Sequence, residues 1–174
     1  DWDTALHTFT FANAVERGLR RAPSAELLRG VFDAAMSVYL DRFLNVPPAR
    51  LPEGGNDNPA ELLSELPALL DRQQRVDEAG TLVAGYLHGG GEPKKLLAAL
   101  GSLLLREDRD FHTIQAVEAA FRQYEGLSGT REGAHVLIAA ARYLAAHSPT
   151  MRSQGQTYEI ARRLSRGEKL YENV

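Results

Sequence analysis

The chain has 174 residues, 44% hydrophobic and 25% charged, with a formal charge of −3 and a pI near 6.0. Those values suit one globular domain with a real core and argue against both disorder and a broad basic surface for nucleic acid. Cysteine is absent, which excludes disulfides, a thiol nucleophile, and any iron–sulfur cluster or thiolate zinc site held by this chain alone.

Uncharged apolar runs such as His135 to Ala141 are far too short to cross a bilayer, and no secretory signal opens the chain. The expected compartment is the cytoplasm. The chain starts abruptly at Asp1-Trp2-Asp3, without Met, and helical pattern begins almost at once. It reads as a piece of a longer polypeptide with neighbouring structure in front of Asp1.

Thr4 to Arg21 forms the first predicted helix. Ala5, Leu6, Phe9, Phe11, Val15 and Leu19 surround nearly its whole circumference, the pattern of a helix buried on most sides. Pro23 stops it, and Ser24 caps a second helix that runs to about Asn45. There, Leu28, Phe32, Ala35, Tyr39 and Phe43 form an apolar stripe, widened by Val31, Val38, Leu40 and Leu44. Residues 46–57, rich in Pro and Gly, read as an exposed, mobile loop.

Asn58-Pro59-Ala60-Glu61 is a strong helix start, with a cap, a proline at the first position and an acid after it. Leu62, Leu63, Leu66, Leu69 and Leu70 follow at helical spacing, and Pro67 is expected to kink or split the element. The helix from Val76 to His88 carries Ala79, Gly80, Ala84 and Gly85, small residues that admit a close neighbour. Gly89-Gly90-Gly91 ends it. The next helix starts near Pro93 and buries Leu96, Leu97, Leu100, Leu103 and Leu104, and Arg106 to Asp110 is a charged connection. A helix over Phe111 to Tyr124, one over Glu132 to His147, and a basic one over about Gln154 to Tyr171 complete the chain. The class is all-α: a single domain over 1–174, a bundle of about eight helices with no alternating strand.

Candidate chemistry rests on the histidines. Asp3/His7 and Asp108/His112 share the pattern D-x3-H-T-x5-A-x2-R, and a spacing of four puts carboxylate and imidazole on one helical face. Glu132 and His135 form a Glu-x-x-His, the arrangement of helical di-metal carboxylate proteins. Asp3, His7, Asp108, His112, Glu132 and His135 are therefore the candidate ligands for a mononuclear or dinuclear metal. His7, His112, Gln115 and Arg142 are the candidates to line a shared polar cavity. The structural alternative has each histidine bonded separately to a carbonyl or to its own acid. Arg142 is expected in an internal ion pair, with Glu118 or Asp108 as partner, or as an anion clamp. His88 and His147 read as helix-end histidines. The Gly89-Gly90-Gly91-Glu92-Pro93-Lys94-Lys95 stretch follows a helix and lacks the Lys-Ser/Thr of a phosphate loop.

Four stretches together resemble a known family: Asp1 to Ala14, Glu26 to Asn45, Phe111-His112-Thr113, and His135 to His147. They are similar to the long helical region of large proteins with a Rieske-type [2Fe–2S] domain, some of which accompany high-affinity nickel–iron hydrogenases. That helical region is also loosely similar to questin-oxidase-like proteins. A Rieske centre takes two cysteines and two histidines, so the resemblance implies that no such cofactor is bound by this segment alone. Any [2Fe–2S] cluster would lie elsewhere in the parent chain. The implied function is an accessory helical module of an electron-transfer protein, scaffolding or docking a redox partner. The implied partner is the remainder of the parent chain or an oxidoreductase subunit such as a hydrogenase. An oxidase-like enzyme with a histidine–carboxylate cavity is the alternative, and a self-associating structural domain, a homo-oligomer, is the third reading.

Overall fold

The computed structural model describes residues 2–45, 50 and 58–171. Among them are eight α-helices and no strand: α1 (Trp2–Arg21), α2 (Ala25–Leu40), α3 (Pro59–Leu70), α4 (Val76–His88), α5 (Pro93–Arg106), α6 (Phe111–Gly126), α7 (Arg131–Ala146) and α8 (Ser153–Ser165). A short 3-10 turn, Asp41–Asn45, continues α2. The loop expected at 46–57 lies, Arg50 apart, outside the described residues.

Side-chain caps set several of the helix starts. Ser24, Asn58, Asp110 and Thr130 each accept a hydrogen bond from a backbone N–H of the first turn, which satisfies donors the helix itself leaves open. Pro67 does not split α3, because the helix runs through it and ends at Leu70. So close to the end, its missing amide costs one hydrogen bond, and the Asp71 N–H still donates to the Pro67 carbonyl at 3.2 Å. Only the first part of the basic C-terminal segment is α-helical; α8 stops at Ser165.

The bundle is centred on α7, which packs against α4 on one side and α6 on the other. Beyond α4 lies α3, and beyond α6 lie α1 and then α2. The core is leucine-rich: Leu66, Leu70, Leu96, Leu100, Leu137 and Leu144 are at most 1% exposed. The close neighbour expected for α4 is α7. A Cβ on Gly80 would sit 3.1 Å from the Arg142 stem and 3.7 Å from Ile138, both on α7.

Two sequence expectations fail at the edge of this row. The first helix buries only Leu6 and Val15, and Trp2 and Phe11 are exposed. It packs mainly against α6 and α2, with Leu6 also touching Tyr143 of α7, so much of the rest of its surface stays in contact with water. In α2 no residue is buried, and the stripe Leu28, Phe32, Tyr39 and Phe43 faces outward. The half-buried positions are instead Leu27, Gly30, Ala34 and Ser37. They recur at spacings of three and four, which is the seam of a helix pair. A Cβ on Gly30 would meet the Val15 side chain at 3.0 Å, so α2 docks by its small residues and displays its large ones.

Candidate functional site

The sequence-predicted histidines are placed by the starts of α6 and α1. Asp110 caps α6, accepting from the Thr113 N–H at 2.8 Å and from its hydroxyl at 2.9 Å. That puts His112 in the first turn, where α1 crosses α6. There the His7 and His112 rings meet edge to face, their centroids 5.1 Å apart. The exposed Phe111 ring covers His112 at 3.9 Å.

A second aromatic group stands at the same end of the bundle. Tyr143 of α7 stacks on His147 at 4.2 Å, and Trp2 meets both rings edge-on at 6.1 and 6.5 Å. His147 Nδ1 donates to the Tyr143 carbonyl at 2.8 Å, closing the C-terminus of α7. Asp110 lies within electrostatic reach of both imidazole groups. Its carboxyl is held below the ordinary value first by the Thr113 N–H, against the opposing effect of burial, and then by the Thr113 hydroxyl, His112 and His147. Burial, followed by the charges of Asp3 and Asp110, pushes the Tyr143 hydroxyl up to about 12. Asp110, Tyr143, His147 and Trp2 were not among the predicted site residues. The available signal was Asp110 three residues before Thr113, a capping pattern directly beside His112.

The remaining candidates disperse. Asp108 precedes α6 and does not share a helical face with His112. Its carboxylate instead accepts from the Ser153 N–H, the Ser153 hydroxyl and the Gln154 N–H, at 2.8, 2.5 and 2.8 Å, at the start of α8. Glu132 and Gln115 are exposed. His135 lines a cavity between α1, α6 and α7 whose wall includes neither His7 nor His112. Arg142 pairs with neither Glu118 nor Asp108: its Nη2 donates to Asp77 of α4 at 2.9 Å, while Glu118 takes Arg122. The reason is topological, since α7 turns that face toward α4. His7 and His112 therefore come together without Gln115 or Arg142. Among the described residues, no group of three or more His, Cys, Asp or Glu side chains is placed to hold a metal ion.

The cavity measures about 270 Å³. Trp2, Leu6 and Phe9 of α1 form one wall, Ala116 and Ala120 of α6 another, and Ala140, Tyr143 and His135 of α7 the third. Its surface is almost wholly apolar, with no carboxylate, lysine or arginine in the lining.

A polar cluster elsewhere ties the C-terminal segment to the α5–α6 elbow. Glu107, 3% exposed, accepts from the Thr150 N–H at 2.8 Å, the Thr150 hydroxyl at 2.9 Å and Arg152 Nη2 at 2.9 Å. Arg152 also bonds Asp71 at the end of α3. Arg106 Nη2 lies 3.0 Å from the same Asp71 oxygen, near enough to pair in charge but off the hydrogen-bond direction.

No family model matches this chain, and no curated protein or solved structure matches it either. No helix among the described residues is long and apolar enough to cross a membrane.

Proposed function

We propose that the chain is an accessory helical module of a Rieske-type iron–sulfur electron-transfer protein, which scaffolds and docks the redox partner through α2. One observation carries this reading: α2 meets α1 along the half-buried seam Leu27, Gly30, Ala34 and Ser37 and turns most of its large apolar residues outward, with Phe32 76% exposed. A helix of a folded domain seldom presents so continuous an apolar face unless another protein surface covers it. Its charge is sparse: Arg29 and Asp33 lie 3.7 Å apart and offset one another, and Arg42 stands 4.0 Å over the Tyr39 ring. The iron–sulfur character of the partner rests on the family resemblance of α1, α2 and α7 given above.

The oxidase-like reading calls for an imidazole and a carboxylate lining one cavity. His135 has no carboxylate beside it in the cavity between α1, α6 and α7, so the docking reading has more support.

The test is calorimetric titration of the chain with the Rieske-type [2Fe–2S] domain of its proposed partner. Saturable binding that is abolished by Phe32→Glu with Tyr39→Asp, at unchanged circular dichroism, supports the proposal. Absence of binding, or binding indifferent to both substitutions, overturns it. If sedimentation shows that the chain alone dimerises through α2, the self-associating structural domain replaces it.

A further inference from the structure

Whatever covers α2, the crossing of α1 and α6 brings together two imidazoles with nitrogens to spare. His7 of α1 and His112 of α6 lie edge to face, with ring centres 5.1 Å apart and ring planes at 77°. His7 is exposed and His112 half-buried, so water and small ions reach the pair. Among the described residues neither ring makes a hydrogen bond, whereas His147 has its Nδ1 on the Tyr143 carbonyl. A neutral imidazole keeps one nitrogen lone pair for a partner, and here two such lone pairs stand side by side on different helices.

The separation is the one a shared metal ion requires. An imidazole nitrogen binds zinc at about 2.0–2.1 Å, and two such rings on one tetrahedral ion set their centres about 5 Å apart. Turning one nitrogen of each ring toward the ion gives up no hydrogen bond. Asp110, the cap of α6, lies within electrostatic reach of His112, and its negative charge favours a cation there. Imidazole suits zinc, nickel and copper, whereas magnesium and calcium take oxygen ligands. No third His, Asp or Glu among the described residues completes the group, so water would hold the other positions on the ion.

We infer that His7 and His112 form a two-imidazole site for a borderline divalent cation (zinc, nickel or copper) that clips α1 to α6. The clip acts on the edge of the bundle, because α1 is the helix through which α2 joins the rest of the row. An ion bound there stabilises the folded chain by mass action and holds the α1–α2 layer against the core.

The experiment is a calorimetric titration of the metal-stripped full chain with zinc chloride, run beside magnesium chloride, with the thermal midpoint followed in parallel. Saturable uptake of a single zinc per chain is expected, with a midpoint that rises with zinc and ignores magnesium. His7→Ala and His112→Ala should each weaken zinc by more than about tenfold, since even the outer partners of a metal ligand are worth about 10–100-fold. His88→Ala, at an exposed histidine elsewhere, should leave the affinity unchanged. Because His7 is exposed, His7→Ala should keep the metal-free midpoint of the wild type, which separates loss of the site from loss of the fold. Zinc should also slow hydrogen exchange of α1 amides in the wild type and not in His7→Ala. The proposal is overturned if the folded wild-type chain takes up no zinc, in which case the pair is an aromatic contact only. It is equally overturned if zinc binds either alanine variant as it binds the wild type, or if magnesium raises the midpoint as zinc does.

Discussion

Glu107 and Arg152 stand 45 residues apart in the chain and meet through two guanidinium nitrogens, Arg152 Nη2 at 2.9 Å and Nε at 3.1 Å from the same carboxylate oxygen. Arg152 reaches this position with φ at +58°, a left-handed conformation that ordinary residues adopt only where the surroundings impose it. The pair joins the α5–α6 elbow to the segment that leads into α8. α8 itself buries no residue, so its attachment depends on this pair and on Asp108 at its start.

The Glu107 pair has a pH dependence of definite sign. Burial, the largest influence on the Glu107 carboxyl, raises it, but the Arg152 and Thr150 hydrogen bonds together outweigh burial and hold it below the ordinary 4.5. A carboxyl lowered in the folded state stabilises the protein above the unfolded value, and that stability is lost as pH falls through the folded one. Urea unfolding from pH 7 to pH 3 should therefore show a loss that begins below about pH 4.5. Glu107→Gln should remove part of that slope and cost about 1–3 kcal/mol at neutral pH, because Arg152 loses one of its two carboxylate partners and keeps only Asp71. An unchanged acid slope in the variant would refute this account.

Exposed and buried apolar residues should differ sharply in cost. Phe32→Ser changes a side chain that is 76% exposed and should move stability by no more than about 0.5 kcal/mol. Leu66→Ala removes a side chain with no exposed surface and should cost about 2–5 kcal/mol. Denaturant midpoints of the two variants measure both. A large loss in Phe32→Ser would mean that α2 buries its stripe after all.

The seam between α1 and α2 depends on Gly30. A β-branched side chain there must displace Val15, since even a Cβ would lie 3.0 Å from its nearest methyl. Gly30→Val should destabilise the chain by about 1–3 kcal/mol through overpacking. Hydrogen exchange should accelerate in α2 and leave α7 amides as they were. Protection of α2 equal to wild type would show that the seam lies elsewhere.

Alkaline titration of the wild type beside Tyr143→Phe reads out Tyr143, since burial raises the Tyr86 hydroxyl as well. The chain has six tyrosines, and burial, then Asp3 and Asp110, pushes Tyr143 up to about 12. The tyrosinate absorbance should include a late step that disappears in Tyr143→Phe. Its raised value stabilises the folded chain below the ordinary 10.0, and that contribution is lost as pH rises from there through about 12. A curve for Tyr143→Phe that overlays the wild type would contradict the burial of this hydroxyl.

Periodicity, caps and breakers in the sequence determined that the chain is helical and where most helices begin. Ser24 and Asn58 cap helices as read, and Gly89-Gly90-Gly91 ends α4 at the expected place. These are local events, settled by the hydrogen-bonding capacity of a few adjacent residues. The core leucines Leu66, Leu100 and Leu103 were legible for a similar reason, because an apolar face at helical spacing is buried wherever a partner exists to cover it.

Tertiary structure decided which faces found a partner. Nothing local told α2 to pack by Gly30 and Ala34 and not by Phe32 and Tyr39; the Val15 surface of α1 accepts only a backbone that comes close. It also separated Asp108 from His112, since Asp110 claimed the start of α6 and left Asp108 to α8. Arg142 found Asp77 because α7 lies on α4, a relationship between segments 65 residues apart. Spacing along a helix establishes which residues share a face, whereas the shape of the neighbouring surface selects the face that is covered.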